Sequence, residues 1–372
     1  MARVLILTAS YGSGHNAAAR SLAVAFQQAG ATVTVVDHFR ELVHPAFDRM
    51  SRRCYHALLR TAPQIWGLSY EFADRITSDS PLAFGVTRLG TTRLARLLEA
   101  RRPDAVVTVH ATPAMAMATL AAERSGLPRH TTVVTDFVAH RQWMAPPIER
   151  YCVAAEEVRH ELIGRGTPPE RIVVTGVPVR PEFEQSVDAH VARAAFGLSP
   201  HLPVVLAMAG ARGTFGRLPD AATALADVRL AFQGVIVAGE DPYVAEDVRR
   251  RVRGTSIQTY GYVDDIRRLM AAADVLITKA GGMTLAEALA AELPLVTFAS
   301  LPGQEGRNER FASRHGVALV ARSRRELTRV VERALGDPPL LELLRERMRT
   351  LARPDASRRI VQLVLAPKAL TL

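Results

Sequence analysis

Three times in this chain a short apolar run ends in a glycine turn that opens onto a helical pattern. Val4-Leu5-Ile6-Leu7-Thr8 precedes Gly12-Ser13-Gly14-His15, Val204 to Met208 precedes Gly210-Ala211-Arg212-Gly213, and Val275 to Thr278 precedes Gly281-Gly282. The runs are continuously apolar rather than alternating, the mark of strands covered on both faces, and such strands belong to parallel sheets flanked by helices. The turns have a chemical consequence as well. Adjacent glycines let backbone N–H groups approach a ligand, and a helix N-terminus carries partial positive charge, so phosphate is a natural guest there.

With 372 residues the chain has room for about two domains, at roughly 100–200 residues each. The first strand series continues through Thr32 to Val36, Asp104 to Val109, Thr131 to Thr135, Tyr151 to Ala154 and Arg171 to Thr175, with helices between. The pattern breaks on prolines at Gly176-Val177-Pro178-Val179-Arg180-Pro181. A second series follows: Val204 to Met208, Gly234 to Ala238, Ser256 to Tyr260, Val275 to Thr278, Leu295 to Phe298 and Ala318 to Val320. The expected organisation is two Rossmann-like, doubly wound α/β domains, 1–180 and 181–354, with a ligand in the cleft between them. A last helix within 355–372 has the length to return to the first domain, which spacing alone does not show.

One stretch departs from the strand–helix rhythm. From Phe39 to Phe84 the pattern is helical and aromatic-rich, with Phe47, Met50, Cys54, Leu58 and Leu59 on one face and Arg49, Arg52, Arg53 and Arg60 interleaved. Basic residues beside an apolar stripe suit a helix lying in a membrane interface, and they suit an ordinary packed insertion equally. The net charge is +10, and of 47 basic residues only Lys279 and Lys368 are lysine. Codon bias accounts for most of that; an arginine-rich surface still favours anionic partners such as phosphates, phospholipid headgroups or nucleic acid. Cys54 and Cys152 are too few and scattered for a disulfide framework or a metal knuckle, which points to a reducing compartment. The run Val4 to Ala9 is too short for a signal peptide, and no stretch reaches the ~18 apolar residues of a membrane span. Any membrane would be met from its cytoplasmic side, peripherally.

Candidate chemistry in the first half centres on Gly12-Ser13-Gly14-His15-Asn16-Ala17. It matches the G-x-G-x-x-A dinucleotide fingerprint, with Asp37 near the distance expected of a ribose ligand, so an NAD-dependent oxidoreductase is one reading. His15 inside the turn suggests another: a histidine at the carboxyl edge of the first strand is placed to act as a general base, unless it only caps the helix. Thr135-Asp136-Phe137-Val138-Ala139-His140-Arg141-Gln142-Trp143 ends another strand on the same rim. Asp136 and His140, four apart, suit a helical turn that orients an acceptor or holds His15 in one tautomer; Trp143 suits this rim or the core. No third ligand completes a metal site.

In the second half, Gly210 and Gly213 repeat the glycine device, with Arg212 available to pair with phosphate. The peptide edge at Val263, after Gly261-Tyr262, suits a flat base. Beyond Gly281-Gly282, Thr284 is the expected N-cap, and Glu287 falls three residues later at the capping-box spacing; the same carboxylate would also suit ribose hydroxyls, and local chemistry leaves both open. Pro302-Gly303-Gln304-Glu305 with Asn308 supplies the amide and carboxylate groups that sugar hydroxyls require.

Taken in order, these motifs resemble the GT-B-fold lipid glycosyltransferases, the bacterial diacylglycerol glucosyltransferases and plant-type monogalactosyldiacylglycerol synthases. The matching residues are Gly12-Ser13-Gly14-His15 with Ala17-Ala18, Thr135-Asp136-Phe137 with His140 and Trp143, and Gly176 to Pro181. They continue with Met208 to Ala211, Thr278-Lys279 with Gly281-Gly282, Glu287, and Pro302-Gly303-Gln304-Glu305 with Asn308. The resemblance implies a UDP-sugar (UDP-glucose or UDP-galactose) held by the second half, and an acceptor, diacylglycerol, at an anionic membrane surface beside the first. It implies inversion at the anomeric carbon without metal or cofactor, and no nucleic acid partner. The family's essential histidine falls on His15, its ribose-binding glutamate on Glu287, and its sugar-contacting pair on Gln304 and Glu305. Ala280 stands where the bacterial enzymes usually have proline, and His110-Ala111-Thr112-Pro113 replaces a tighter His-Pro. A transferase acting on a polyprenyl-diphosphate sugar and a catalytically idle UDP-sugar sensor are the neighbouring possibilities.

Overall fold

The structure, a computed structural model, describes residues 1–10, 12–62, 64–65, 67–68, 72, 89–144, 148–210 and 217–366. The chain divides into two compact units: Met1–Pro181 together with the C-terminal residues from Asp355, and Glu182–Pro354.

The first unit runs β1 (Arg3–Thr8), α1 (Ser13–Gln28), β2 (Thr32–Asp37), a π-helical turn (His38–Val43), α2 (Pro45–Thr61), α3 (Thr91–Arg101), β3 (Ala105–Thr108), α4 (Ala111–Glu123), β4 (Arg129–Val133), β5 (Arg150–Val153), α5 (Glu156–Gly164) and β6 (Ile172–Val174). Its sheet is parallel throughout, in the order β2-β1-β3-β4-β5-β6. The order reverses between β1 and β3, so the turns after those two strands splay apart and leave a crevice at their carboxyl ends, where open α/β sheets take ligands. Leu5, Leu7, Val106 and Met117 lie in the core behind it.

The second unit repeats the plan with α6 (Ala189–Ala195), β7 (Val204–Met208), α7 (Leu218–Ala226), β8 (Gln233–Val237), α8 (Pro242–Arg251), β9 (Ile257–Tyr260), α9 (Ile266–Ala272), β10 (Val275–Thr278), α10 (Gly282–Ala290), β11 (Leu295–Phe298), α11 (Gln304–Arg314), β12 (Ala318–Ala321), α12 (Arg324–Gly336) and α13 (Pro338–Leu351). The sheet order β12-β11-β10-β7-β8-β9 is again all parallel and puts the switch point between β7 and β10. Both strands at that point end in glycine turns.

The last helix, α14 (Ala356–Leu365), packs on α1 in the first unit and buries Ile360, Val361 and Val364. Its unpaired C-terminal carbonyls are capped by arginines from the sheet. Arg129 donates to Val364 and Ala366 at 2.6 Å each, and Arg150 to Leu363 at 2.8 Å. A helix C-terminus carries partial negative charge, so two guanidinium groups there are electrostatically favoured.

Two boundaries differ from the expected ones where it matters. Helix α1 begins at Ser13, inside the glycine turn that was expected to precede it, with Gly12 as its extended N-cap, so Gly14 and His15 are first-turn residues and His15 is not the cap. Strand β4 ends at Val133, which leaves Thr135 free of the ladder. Much of the expected insertion at about 39–84 lies outside the described residues.

Candidate active site

His15 is held from two sides. Its Nδ1 lies 2.8 Å from the Val109 carbonyl oxygen, just beyond β3, and 3.1 Å from Thr135 Oγ1. A carbonyl only accepts, so Nδ1 carries the proton and Nε2 keeps its lone pair. The ring is half-buried. Burial pulls its pKa below the ordinary 6.5, against the opposing charge of Asp136 and the bond to Val109. His110 packs edge-on at 4.6 Å between centroids, and Trp143 lies tilted at 6.3 Å. The pKa of His110 falls well below the usual value, through burial first and then the neighbouring His15 and His38. Its Nδ1 accepts from Thr112 N at 3.1 Å and so caps α4.

The first turn of α1 is braced by a side-chain chain. Thr8 Oγ1 donates to Asn16 Oδ1 at 2.9 Å, Asn16 Nδ2 donates to Ser10 Oγ at 2.9 Å, and Ser10 donates to Asp37 Oδ2. The other Asp37 oxygen accepts from Arg40 N at 3.0 Å. Both carboxylate oxygens are thus engaged by the protein. The residue that a dinucleotide reading needs for ribose is a structural brace, which removes the main support for that reading.

The Asp136–Trp143 stretch is not the expected helical turn. Residues 136–138 are bends, and only Arg141–Trp143 forms a turn of 3-10 helix, capped by His140 Nδ1 accepting from Gln142 N at 3.1 Å. With β4 finished at Val133 the chain leaves the sheet before Asp136, so Asp136 and His140 do not share a helical turn. The tautomer of His15 is fixed by Val109 and Thr135; Asp136, buried nearby, acts through its charge. Trp143 is a core residue at 5% exposure whose ring still faces His15.

In the second unit Gly210 follows β7 with φ +75°, a left-handed conformation that glycine adopts without strain. Arg212 and Gly213 lie outside the described residues. Val263 is half-buried in the loop after β9, beside the exposed Tyr262. The turn after β10 corrects the expected cap. Gly281 is the N-cap and α10 begins at Gly282, so Thr284 sits inside the first turn and Glu287 falls a turn later, out of capping-box register. Gly281, Thr284 and Glu287 form a half-buried stripe among buried neighbours. A Cβ added at Gly281 would meet nothing within 4 Å among the described residues.

The loop after β11 packs against this turn. Lys279 Nζ reaches Glu305 Oε1 at 2.5 Å, and Glu305 Oε2 accepts from Leu301 N at 2.9 Å. Ala280 N donates to Ser300 Oγ at 3.1 Å, and Ser300 donates to Glu309 Oε2 at 2.7 Å. Asn308, expected to touch a sugar, is fully buried and donates to the Ala280 carbonyl at 3.1 Å; it braces the turn from behind. Gln304 opens α11 next to Gly303, whose φ is +95°, and Ala299 has φ +53°. A non-glycine residue in that region stores strain of order 1–3 kcal/mol, a cost that clusters at functional loops. Thr135, Asn16 and Ser300 escaped assignment from sequence, since their roles depend on partners from elsewhere in the fold; Lys279 was marked by its place in the Thr278-Lys279 motif and by being a lysine in an arginine-rich chain, with no role attached.

Two parallel six-stranded sheets, each with its ligand crevice at a switch point, make this a two-domain α/β protein of the GT-B type. Fold alone is shared with the solved structures of Acinetobacter baumannii MurG (TM-score 0.64, 18% identity, 98% of this chain and 99% of that one) and S. aureus MnaA with UDP (TM-score 0.65, 15%, 97% and 95%). Residues 15–179 match the family model described as Monogalactosyldiacylglycerol (MGDG) synthase, and residues 210–359 match the Glycosyltransferase family 28 C-terminal domain. Over 368 residues the chain is 31% identical to the Processive diacylglycerol beta-glucosyltransferase of Bacillus cereus (strain AH187), covering 98% of this chain and 93% of that one. A relative of the same description from Bacillus anthracis (strain CDC 684 / NRRL 3495) matches equally. The chain belongs to the diacylglycerol glucosyltransferase and monogalactosyldiacylglycerol synthase family of lipid glycosyltransferases.

Proposed function

We propose that the chain transfers a hexose from UDP-glucose or UDP-galactose to diacylglycerol, inverting the anomeric carbon. The observation that carries this reading is His15, with Nδ1 committed to Val109 and Thr135 and Nε2 left basic at the crevice of the first sheet. Nε2 takes the proton of the lipid hydroxyl as its oxygen bonds to the anomeric carbon, and the bond from that carbon to the UDP β-phosphate oxygen breaks. Backbone N–H groups at Gly210 and at the Gly281–Gly282 helix start receive the departing diphosphate, joined by Arg212 and Gly213, which lie outside the described residues, and no metal or cofactor takes part. Val263 meets the base, Thr284 and Glu287 the ribose side, and Gln304 and Glu305 the sugar. Gly14, His140 and Trp143 shape the acceptor side, with Asp136 stabilising the imidazolium as it forms. The names of the relatives, and the UDP held by a structural neighbour, support this assignment.

Incubation with each UDP-hexose separately, on diacylglycerol in anionic vesicles, tests it by the mass of the lipid product. One or more hexose additions are expected with one of the two donors. Product only on a competing polyprenyl-diphosphate acceptor moves the acceptor assignment, and UDP binding without turnover on any acceptor defeats the enzyme reading.

The membrane side of the proposal rests on the described part of 39–84. Met50 and Cys54 on α2 are exposed, as are Ile65, Leu68 and Phe72 beyond it, with Arg49 and Arg53 beside them. Arg52 departs from the expected basic face; it turns in to a buried Asp48 at 2.8 Å. No helix among the described residues is long and apolar enough to cross a membrane. Sedimentation with vesicles is expected to show binding that rises with anionic lipid and falls with salt, since exposed charges are screened beyond about 8 Å at physiological ionic strength. Equal binding to neutral and anionic vesicles at low and high salt would remove the electrostatic part.

A further inference from the structure

Lys279 is the only lysine among the described residues, in a chain whose 47 basic residues are all arginine but two. It sits one residue beyond β10 and two before the N-cap of α10, on the turn assigned above to the donor diphosphate. That turn has an unfavourable background. Helix α11 points two carboxylates at it one helical turn apart: Glu305, through Lys279 and Leu301 N, and Glu309, through Ser300 to the amide of Ala280. Fixed negative charge behind a phosphate cradle opposes an anionic guest. The side chains of Lys279 and Glu305 are only 18% and 12% exposed, so water screens that opposition poorly.

We propose that Lys279 is a positioning residue that makes the turn compatible with a diphosphate by neutralising Glu305, while fixing Glu305 in the orientation it presents to the donor. A compact, rotatable ammonium fits between a strand end and a helix start; arginine's planar fork carries the same charge with a different reach. Glu305 has one oxygen on Lys279 and the other on a backbone amide, so its rotamer is set before any ligand arrives. The inference rests on the donor reading and adds to it the source of charge balance.

UDP, which carries the diphosphate and no hexose, isolates this effect from any contact between Glu305 and sugar. Calorimetry with UDP is expected to show Lys279→Met weakening affinity roughly 10- to 100-fold, the scale of an uncompensated like charge. Lys279→Met combined with Glu305→Gln is expected to recover to within about threefold of the parent, because the repelling charge is gone. Turnover of the double variant stays low, since Glu305 is lost to the sugar. Thermal melting checks that each variant folds, and Lys279→Gln must repeat the loss if methionine disturbs the pair. Parental UDP affinity in Lys279→Met overturns the proposal. So does a double variant as weak as Lys279→Met alone, which would put the ammonium on the diphosphate itself. If the parent protein binds no UDP, the donor reading fails first and is seen to fail by itself.

Discussion

Replacing His15 with alanine is expected to lower kcat by roughly 10²–10⁴ with the protein still folded, the usual cost of losing a general base. The geometry says why this histidine and not its neighbours. His110 is within ring contact, but its Nδ1 is spent on capping α4, and its burial and two histidine neighbours hold its proton affinity far below what a base at neutral pH requires. His38 is fully buried, its pKa pushed down to about 4, with Nε2 on the Leu89 carbonyl at 2.9 Å. His15 is half-buried, with its protonated nitrogen fixed by a carbonyl and its other nitrogen unused by those bonds. Its lowered pKa fixes the sign of the pH dependence. A base must be neutral to act, so the acid limb of kcat/KM is expected below 6.5, the value of a free imidazole, and the limb is expected to vanish in His15→Ala. Initial rates from pH 5 to 8 on both proteins check this. Near-normal turnover in folded His15→Ala would end the base assignment.

The strands at the crevice of the second sheet were legible because hydrophobic burial on both faces leaves a continuous apolar run. Val204–Met208, Val275–Thr278 and Leu295–Phe298 fall where the residues alone place them. The helix starts were not, and the reason is the same at both turns. Capping preferences favour Thr284 over glycine, and the low helix propensity of Gly12-Ser13-Gly14 argues against a helix there. Yet α10 starts at Gly282 and α1 at Ser13, because the first-turn groups are held by tertiary partners. Asn16 is tied to Thr8 and Ser10, and the Ala280 peptide is tied at both ends, to Ser300 and Asn308. Local pattern carries no trace of partners brought in by another strand. The Val109 carbonyl, which decides the tautomer of His15, has no residue-type signal at all. Lys279 was conspicuous by composition, but its meaning lay in Glu305, 26 residues further on and visible only once α11 was packed against the turn.

Gly281→Val is expected to abolish useful donor binding without destabilising the protein. Gly281 has φ −71° and ψ 138°, a conformation open to any residue, and a Cβ there would meet nothing within 4 Å among the described residues. Neither backbone strain nor packing against the described residues therefore requires glycine. Glycine outranks valine at an N-cap, while valine restricts the unfolded chain, and these opposing effects of about 1 kcal/mol each leave stability close to that of the parent. The space that a valine would fill is the space a phosphate must enter to reach the N–H groups at the start of α10. Loss of one or two charge-assisted hydrogen bonds, at about 1.5–3 kcal/mol each, weakens UDP binding by roughly 10-fold to 10⁴-fold. Urea denaturation and UDP calorimetry on the same sample separate the two effects. A variant as stable as the parent that no longer binds UDP places the diphosphate at this turn, since a general loss of structure would move both measurements together. A variant that binds UDP normally would move the donor cradle elsewhere, and leave Gly281 explained by its place at the N-cap of α10.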